Sequence, residues 1–172
     1  MNITYTTPWN YYDKTTYTTQ GNYYENNINY YDNITDNIAL GNRHASYNDF
    51  DVIVNLNFPM NNTKLNEITY IKNNNMIIYN VGLYDTEDTD IMLVLNTMIP
   101  ILVKSVNENK KILVHCWAGM SRSATLVIVL IATIYGLTYE DSYNFVKSKR
   151  NIVKPNNRFI QSAKKYINSL HT

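Results

Sequence analysis

The sequence predicts a single α/β domain in which helices flank a central mixed β-sheet. The chain has 172 residues, of which 45% are hydrophobic, and this is enough to build one substantial core. After residue 36, short β-branched runs alternate with helical patterns, and the last third of the chain is helical throughout. Helices packed on the faces of a sheet are the usual result of such an order.

Short apolar runs bounded by Gly, Asn, Asp or Pro predict the strands of this sheet. The predicted strands are Ile38–Leu40, Val52–Leu56, Met76–Tyr79 and Ile112–Val114. The last of these is continuously apolar, which is typical of a strand covered on both faces. We therefore expect it to lie near the centre of the sheet.

Helical patterns occupy most of the remaining sequence. They run from Asp90 toward Asn107, from Ser123 to Tyr135, from Thr138 to about Arg150, and from Asn156 or Asn157 onward. Asp90 can cap the first helix, and Pro100 inside it should cause a kink or a break because proline has no backbone N–H. The second helix is hydrophobic nearly all round, so it should be central, and Gly136 ends it. Thr138 and Asp141 have the spacing of a capping box.

Residues 1–36 differ from the rest because Tyr, Asn and Thr dominate them and aliphatic residues are scarce. The composition predicts a poorly ordered arm ahead of a globular domain at 37–172. A docking or dimerisation arm is the alternative, because tyrosine supplies a large contact area at a low cost in entropy. A homodimer formed through this arm therefore stays open.

Charge and cysteine content limit the partners and the compartment. The net charge is +1, which offers no strong field for nucleic acid or an anionic membrane, so any anion site must be local. The single cysteine cannot form an internal disulfide, and a free thiol favours a reducing compartment such as the cytoplasm. No apolar run reaches the roughly 20 residues of a membrane helix, and the N-terminus lacks the pattern of a signal peptide.

The passage from strand Ile112–Val114 into the helix at Ser123 carries the clearest chemical pattern. A strand, a tight loop and a helix N-terminus form an anion site, because the loop amides turn inward as a nest and the helix dipole adds positive potential. Gly119 relieves the backbone where the loop curls. The residues expected to hold a phosphate are Trp117, Ala118, Gly119, Met120, Ser121 and Arg122.

Reactive side chains occupy both ends of this loop. Cys116 begins it, where the positive concavity favours the thiolate, which is the nucleophilic form of cysteine. Arg122 closes it, and its planar fork can donate two parallel hydrogen bonds to phosphate oxygens. The hydroxyl of Ser123 could stabilise the sulfur as a leaving group, although capping of the helix start explains this serine equally well. His115 either orients the loop or is a hydrogen-bonded core residue.

Phosphate transfer to sulfur also requires a general acid that protonates the departing oxygen. Asp85 lies in the loop that follows strand Met76–Tyr79, where a catalytic acid could be mobile. Asp88 is the rival acid, and Asp90 is better placed as a helix cap. A merely solvated acidic turn is the remaining explanation.

The loop pattern His-Cys-x-x-Gly-x-x-Arg-Ser resembles that of the dual-specificity phosphatases in the protein tyrosine phosphatase superfamily. The resemblance covers about residues 36–170 and includes further landmarks in order. These are Ile38–Asn42 with Ala45-Ser46, then Val54–Leu56, then Asp85 with Asp90-Ile91, and finally Arg150-x-x-Val153-x-Pro155-Asn156-x-x-Phe159.

This resemblance implies a protein tyrosine phosphatase-like fold and hydrolysis of phosphotyrosine and of phosphoserine or phosphothreonine in protein substrates. It implies catalysis through a phosphocysteine without a metal or other cofactor, in which Cys116 attacks and Asp85 protonates the leaving oxygen and then activates water. The small size is most similar to compact single-domain members, including poxviral phosphatases that dimerise through an N-terminal helix. If the source is viral, the virion is expected as a second location beside the cytoplasm.

Two other functions stay open at this point. A pseudophosphatase would bind phosphate without turnover. A phosphatase of lipid headgroups or RNA 5′ ends would need additional positive charge, and the loop residues Trp117 to Ser121 supply none. Lys147, Lys149 and Arg150 form a basic patch that is either a solvated helix end or a contact for an acidic substrate flank.

Overall fold

The computed structural model describes residues 30–57 and 64–170. Within these ranges the chain forms a six-stranded sheet and four helices. In chain order they are β1 (Tyr31–Asn33), β2 (Ile38–Gly41), β3 (Val52–Asn55), β4 (Ile68–Asn73), β5 (Met76–Val81), α1 (Met92–Asn107), β6 (Ile112–His115), α2 (Arg122–Tyr135), α3 (Tyr139–Lys149) and α4 (Asn157–Ser169).

The sheet is mixed, as predicted, with the strand order β1-β2-β6-β3-β5-β4. Strands β2, β6, β3 and β5 are parallel, and β1 and β4 are antiparallel additions at the two edges. His115 at the end of β6 lies opposite Gly41 on one side and Asn55 on the other. The loops that leave the parallel strands therefore meet at one edge of the sheet, where open α/β folds place their ligands.

Helix α2 is the central helix that the sequence predicts. Each residue from Arg122 to Ala132 is buried, and α1, α3 and α4 all contact this helix. It ends at Gly136 in a left-handed conformation with φ of 64°. Among the described residues no single helix is long and apolar enough to cross a bilayer, although α2 and α3, with a 118° bend between them, together pass that test by length and composition.

The caps of the last two helices agree with the sequence. Thr138 Oγ1 accepts a hydrogen bond from the Asp141 amide at 3.1 Å and caps α3. Asn156, rather than Asn157, caps α4 by accepting from the Phe159 amide at 2.9 Å. These bonds satisfy amides that have no partner inside the helix.

The expected break at Pro100 is wrong, because α1 is continuous across this residue. Pro100 and Asn96, whose carbonyl loses its helical partner, are both exposed, so water can satisfy that carbonyl. The cap of α1 also differs from the prediction. Ile91 occupies the N-cap position, and Asp90 instead accepts a hydrogen bond from the Met92 amide at 3.0 Å.

The predicted poorly ordered arm does not extend to residue 36, because β1 pairs with β2 and Ile34 beyond it is only 2% exposed. Strand β4 was not predicted either. Both are short or exposed edge strands whose polar residues hide the alternating pattern. The rest of the predicted arm, and the dimer expected through it, fall on residues 1–29, which lie outside the described ranges.

Candidate active site

A pocket of about 480 Å³ opens at the carboxyl edge of the sheet. Three segments line it: the loop between β6 and α2, the loop after β5, and the entry to α4. The lining residues are Cys116, Trp117, Ala118, Met120, Ser121 and Arg122 from the first, Asp85 and Glu87 from the second, and Lys154, Pro155, Asn156 and Asn157 from the third. The predicted nucleophile, arginine and acid thus share one pocket.

Consecutive carbonyl groups of the β6–α2 loop are bonded to donors outside the loop. A trans peptide directs its N–H opposite to its carbonyl, so the amides of residues 118–121 point to the other side, toward the pocket. This is the arrangement of an anion-binding nest. The pairs are Trp117 O with Arg43 N at 3.2 Å, Ala118 O with Arg150 Nη2 at 3.2 Å, Gly119 O with Arg150 Nε at 3.0 Å, and Met120 O with Lys154 N at 2.9 Å.

Gly119 is the residue at which the loop curls, and its φ is +70°. A Cβ at this position would lie 2.4 Å from Gly41 O and 2.9 Å from Arg150 Nη2. Both the left-handed backbone and the close approach of β2 therefore require glycine.

Arg150 supports the loop from behind. Its side chain is 4% exposed, and its Nη1 donates to Asp32 Oδ2 in β1 at 2.6 Å while its other nitrogens hold the loop carbonyls. The interpretation of Arg150 as part of a basic surface patch with Lys147 and Lys149 is therefore wrong. The guanidinium is drawn inward because buried carbonyls and a carboxylate satisfy it.

Cys116 lies at the floor of the pocket and is 2% exposed. Ser123 Oγ donates to its sulfur at 3.1 Å. The N-cap of α2 is Ser121, so Ser123 is inside the helix and the alternative of Ser123 as a helix cap is wrong. The hydroxyl is instead placed to stabilise negative charge on the sulfur.

Arg122 is held by the ends of two neighbouring strands. Its Nη1 donates to Leu56 O at 2.8 Å and to Leu83 O at 3.2 Å. Its Nε lies 3.8 Å from Asp85 Oδ2 and has no hydrogen-bond partner among the described residues. One edge of the guanidinium is thus anchored, and the Nε is left for an anion in the pocket.

Asp85 is bound directly above this loop. Its Oδ1 accepts from Ser121 Oγ at 2.7 Å and from Asn156 Nδ2 at 2.9 Å, and its side chain is one-third exposed. Asp88 does not line the pocket, and a hydrogen bond from the Thr86 side chain lowers its pKa. The geometry therefore favours Asp85 over Asp88 as a proton donor.

Of the two predicted roles of His115, orienting the loop or forming a hydrogen-bonded part of the core, its position agrees with the second. It is 2% exposed and shares a hydrogen bond with the Tyr47 hydroxyl through Nε2. Burial lowers its pKa to about 4. The imidazole is therefore neutral near pH 7, and it does not line the pocket.

Five residues that line the pocket were not among the predicted site residues. Glu87 belongs to the acidic cluster around Asp85. The other four lie in or beside the Pro155-Asn156 landmark, which could have indicated them: Lys154, Pro155, Asn156 and Asn157. Lys154 adds a cation that the loop itself lacks. At the rim, Trp117 is 58% exposed and the Arg43 guanidinium lies 3.5 Å from the centre of its ring.

Metal-binding side chains do not cluster in the ranges 30–57 and 64–170. No group of three or more His, Cys, Asp or Glu residues there could hold a metal ion. Independence from metal stays a prediction that a chelator can test.

Comparison with known proteins identifies the family. The model of the dual specificity phosphatase catalytic domain matches residues 35–169. The chain is 33% identical over 147 residues to "Putative tyrosine phosphatase 123R" of Invertebrate iridescent virus 6, which covers 81% of this chain and 95% of that protein. It is 38% identical over 88 residues to human protein phosphatase Slingshot homolog 1, a match that covers 51% of this chain but only 8% of that protein.

Solved structures share the architecture. Human DUSP28 superposes with a TM-score of 0.71 at 19% sequence identity, covering 84% of this chain and 97% of that one. This likeness confirms the protein tyrosine phosphatase-like fold.

The family match and the site together give the class. The chain belongs to the dual-specificity phosphatase family. It is a protein phosphatase, and membership of this family implies phosphorylated proteins as substrates.

Proposed function

We propose that the protein hydrolyses phosphotyrosine, and also phosphoserine and phosphothreonine, through a covalent phosphocysteine at Cys116. The observation that carries the proposal is the convergence of the Cys116 sulfur, the loop amides, the Nε of Arg122 and the Asp85 carboxyl on one pocket. The family match supports the dual specificity.

In the first step the phosphate sits in the nest of loop amides. These amides and the Arg122 Nε donate to its non-bridging oxygens and stabilise the charge that spreads over them in the transition state. The Cys116 thiolate forms a bond to phosphorus as the bond to the substrate oxygen breaks. Asp85, in its protonated form, transfers its proton to that oxygen.

In the second step a water molecule attacks the phosphorus, and the Asp85 carboxylate removes a proton from it. The phosphorus–sulfur bond breaks and the thiolate of Cys116 leaves. The Ser123 hydroxyl, 3.1 Å from the sulfur, donates to it and stabilises the charge that it regains. This role concerns the second step alone, because in the first step the thiolate loses its charge.

Turnover of para-nitrophenyl phosphate by the full chain tests the mechanism. We expect turnover without added metal, no loss in the presence of a chelator, and no turnover by Cys116→Ser. Retained turnover in that variant, or full loss on chelation, would contradict the proposal.

Two matched aspartate variants test the acid. Asp85→Ala should lower kcat on phosphotyrosine peptides while inorganic phosphate still inhibits, because the nest and Arg122 are unchanged. Asp88→Ala should retain the parent rate, because Asp88 lies outside the pocket. A larger loss in Asp88→Ala would move the role of the acid to that residue.

A phosphatase of RNA 5′ ends or phosphoinositides is the second candidate, and Lys154 at the pocket favours it. A panel of phosphotyrosine, phosphoserine and phosphothreonine peptides with both polyanions separates the two. Activity on a polyanion with failure on all three peptides would support this candidate. The pseudophosphatase alternative predicts binding without turnover, although Cys116, Asp85 and Arg122 are all present in the pocket.

We also infer a cytoplasmic location, or a virion location if the source is viral, from the free Cys116 thiol. A homodimer formed through residues 1–36 stays a prediction. Sedimentation of the full chain and of a chain without residues 1–29 tests it, since the dimer should be lost with those residues.

A further inference from the structure

The loop of residues 84–90, here called the acid loop, is fixed to the start of α4 by acidic side chains. Asp85 contacts the Asn156 side chain, as described above. Glu87 accepts from the Asn157 amide at 3.3 Å through Oε1 and from the Arg158 amide at 3.2 Å through Oε2. Asp90, at the end of the acid loop, accepts from Ser162 Oγ at 3.1 Å.

Polar contacts are what hold this loop in the described structure. Its flanking residues Leu83 and Ile91 are fully buried. Between them, residues 84–88 and 90 are exposed and residue 89 is half-buried. Because no residue of the loop is buried between these two anchors, its position over the pocket depends on polar contacts, which are the bond from Ser121 to Asp85 and the hydrogen bonds to α4.

Glu87 supplies a charge that α4 lacks. The first turn of α4 contains no acidic residue, and the amides at a helix start have no partner inside the helix. Asn156 satisfies the Phe159 amide, while Glu87 takes the two amides before it. A carboxylate at this point is stabilised by the helix dipole as well as by the two bonds.

We propose that Glu87 is a positioning residue that holds Asp85 above Cys116 by binding the N-terminus of α4. The inference rests on the proposed function, in which Asp85 is the general acid. Glu87 is two residues from Asp85, so its two bonds to α4 limit how far the Asp85 carboxyl can move from the leaving oxygen. A merely structural role would stabilise α4 without changing proton transfer.

Substrates with different leaving groups separate these roles. The phenol of tyrosine is a weak acid and needs a proton as it leaves, whereas para-nitrophenol is a much stronger acid and leaves readily as the anion. Glu87→Ala should lower kcat/KM for a phosphotyrosine peptide by about tenfold, as expected for the loss of charge-assisted hydrogen bonds that position the acid. The ratio kcat/KM reports the first step, in which the leaving oxygen is protonated, whereas the hydrolysis of the phosphocysteine is common to both substrates. For para-nitrophenyl phosphate kcat/KM should stay within about twofold.

The experiment compares the full chain with Glu87→Ala, Glu87→Gln, Asp88→Ala and Asp85→Ala on both substrates. Glu87→Gln keeps one oxygen acceptor and should recover part of the loss. Asp88→Ala removes a carboxylate from the same loop without a contact to α4 and should match the parent. Inhibition by inorganic phosphate should not weaken in Glu87→Ala, because the nest and Arg122 are kept and the pocket loses a carboxylate that repels an anion.

Equal losses of kcat/KM on both substrates, or no loss of kcat/KM on either, in a folded Glu87→Ala protein would overturn the inference. If that variant does not fold, the same comparison in Glu87→Gln decides the question. A failure of the proposed function would look different: in Asp85→Ala the loss would be the same for both leaving groups. If Asp85→Ala shows a loss that depends on the leaving group and Glu87→Ala does not, only the role of Glu87 is overturned.

Discussion

The ion pair between Asp32 and Arg150 joins the first strand to the phosphate-binding loop, and its strength can be measured. The perturbations are Asp32→Ala, Arg150→Met and the double variant. Arg150 Nη1 lies 2.6 Å from Asp32 Oδ2, and the arginine side chain is 4% exposed. Removal of Asp32 leaves a buried guanidinium that keeps its hydrogen bonds to the carbonyls of Ala118 and Gly119.

The expected magnitude follows from burial. Removal of one partner from a buried ion pair costs about 3–5 kcal/mol, and the 22% exposure of Asp32 reduces this to about 2–3 kcal/mol for Asp32→Ala. Arg150→Met also loses two bonds to loop carbonyls, so it should cost about 4 kcal/mol. The double variant leaves no unpaired charge. Its loss should therefore be smaller than the sum of the single losses by about 2 kcal/mol.

Urea unfolding of all four proteins at one pH measures these free energies of unfolding. The exposed pair Lys164–Glu140 serves as the control, and its cycle should give a coupling of less than about 1 kcal/mol. Inhibition by inorganic phosphate should weaken in Arg150→Met, because two loop carbonyls lose their donor. A coupling between Asp32 and Arg150 no larger than that of the control pair would refute the argument.

Three further predictions concern the loop and its flanks. Burial lowers the pKa of His115 to about 4 in the folded state, whereas the unfolded chain takes up this proton below about pH 6.5. The free energy of unfolding should therefore fall by about 2–3 kcal/mol between pH 7.5 and 4.5, and urea unfolding should show a flatter pH profile for His115→Gln. Gly119→Ala should weaken phosphate inhibition at least about tenfold, because its Cβ would lie 2.4 Å from Gly41 O at a φ of +70°, and unchanged inhibition would contradict this. Ser123→Ala should slow the second step about tenfold and so produce a burst of nitrophenol, whereas a single slow phase without a burst would place its effect in the first step.

Chemistry confined to a short stretch of sequence could be predicted well. Residues 115–123 run from strand to helix, so the type of each residue and its place in the loop indicate the anion site directly. The caps at Thr138 and Asn156 are also local, since each side chain binds an amide three residues later. In these cases the partners are fixed by spacing along the chain alone.

Contacts between distant segments could not be predicted in this way. The sequence indicates a surface patch at Arg150 because the local pattern resembles an exposed helix end, and its partner Asp32 is 118 positions away. Glu87 is one of several acidic residues in a turn, and only the fold shows that it binds amides 70 and 71 positions later. The first contact depends on how β1 approaches the end of α3, and the second depends on how the acid loop approaches α4.

The segment from Arg150 to Arg158 supports both halves of the proposed chemistry. Toward the nucleophile, Arg150 and the Lys154 amide hold three carbonyls of the phosphate-binding loop, and the Asn156 amide donates to Ser121 Oγ at 3.2 Å. Toward the acid, the Asn156 side chain binds Asp85, and the first amides of α4 bind Glu87. The loop of Cys116 and the loop of Asp85 are therefore aligned against one common segment. A change there should disturb the distance between nucleophile and acid more than a change of similar size within either loop alone.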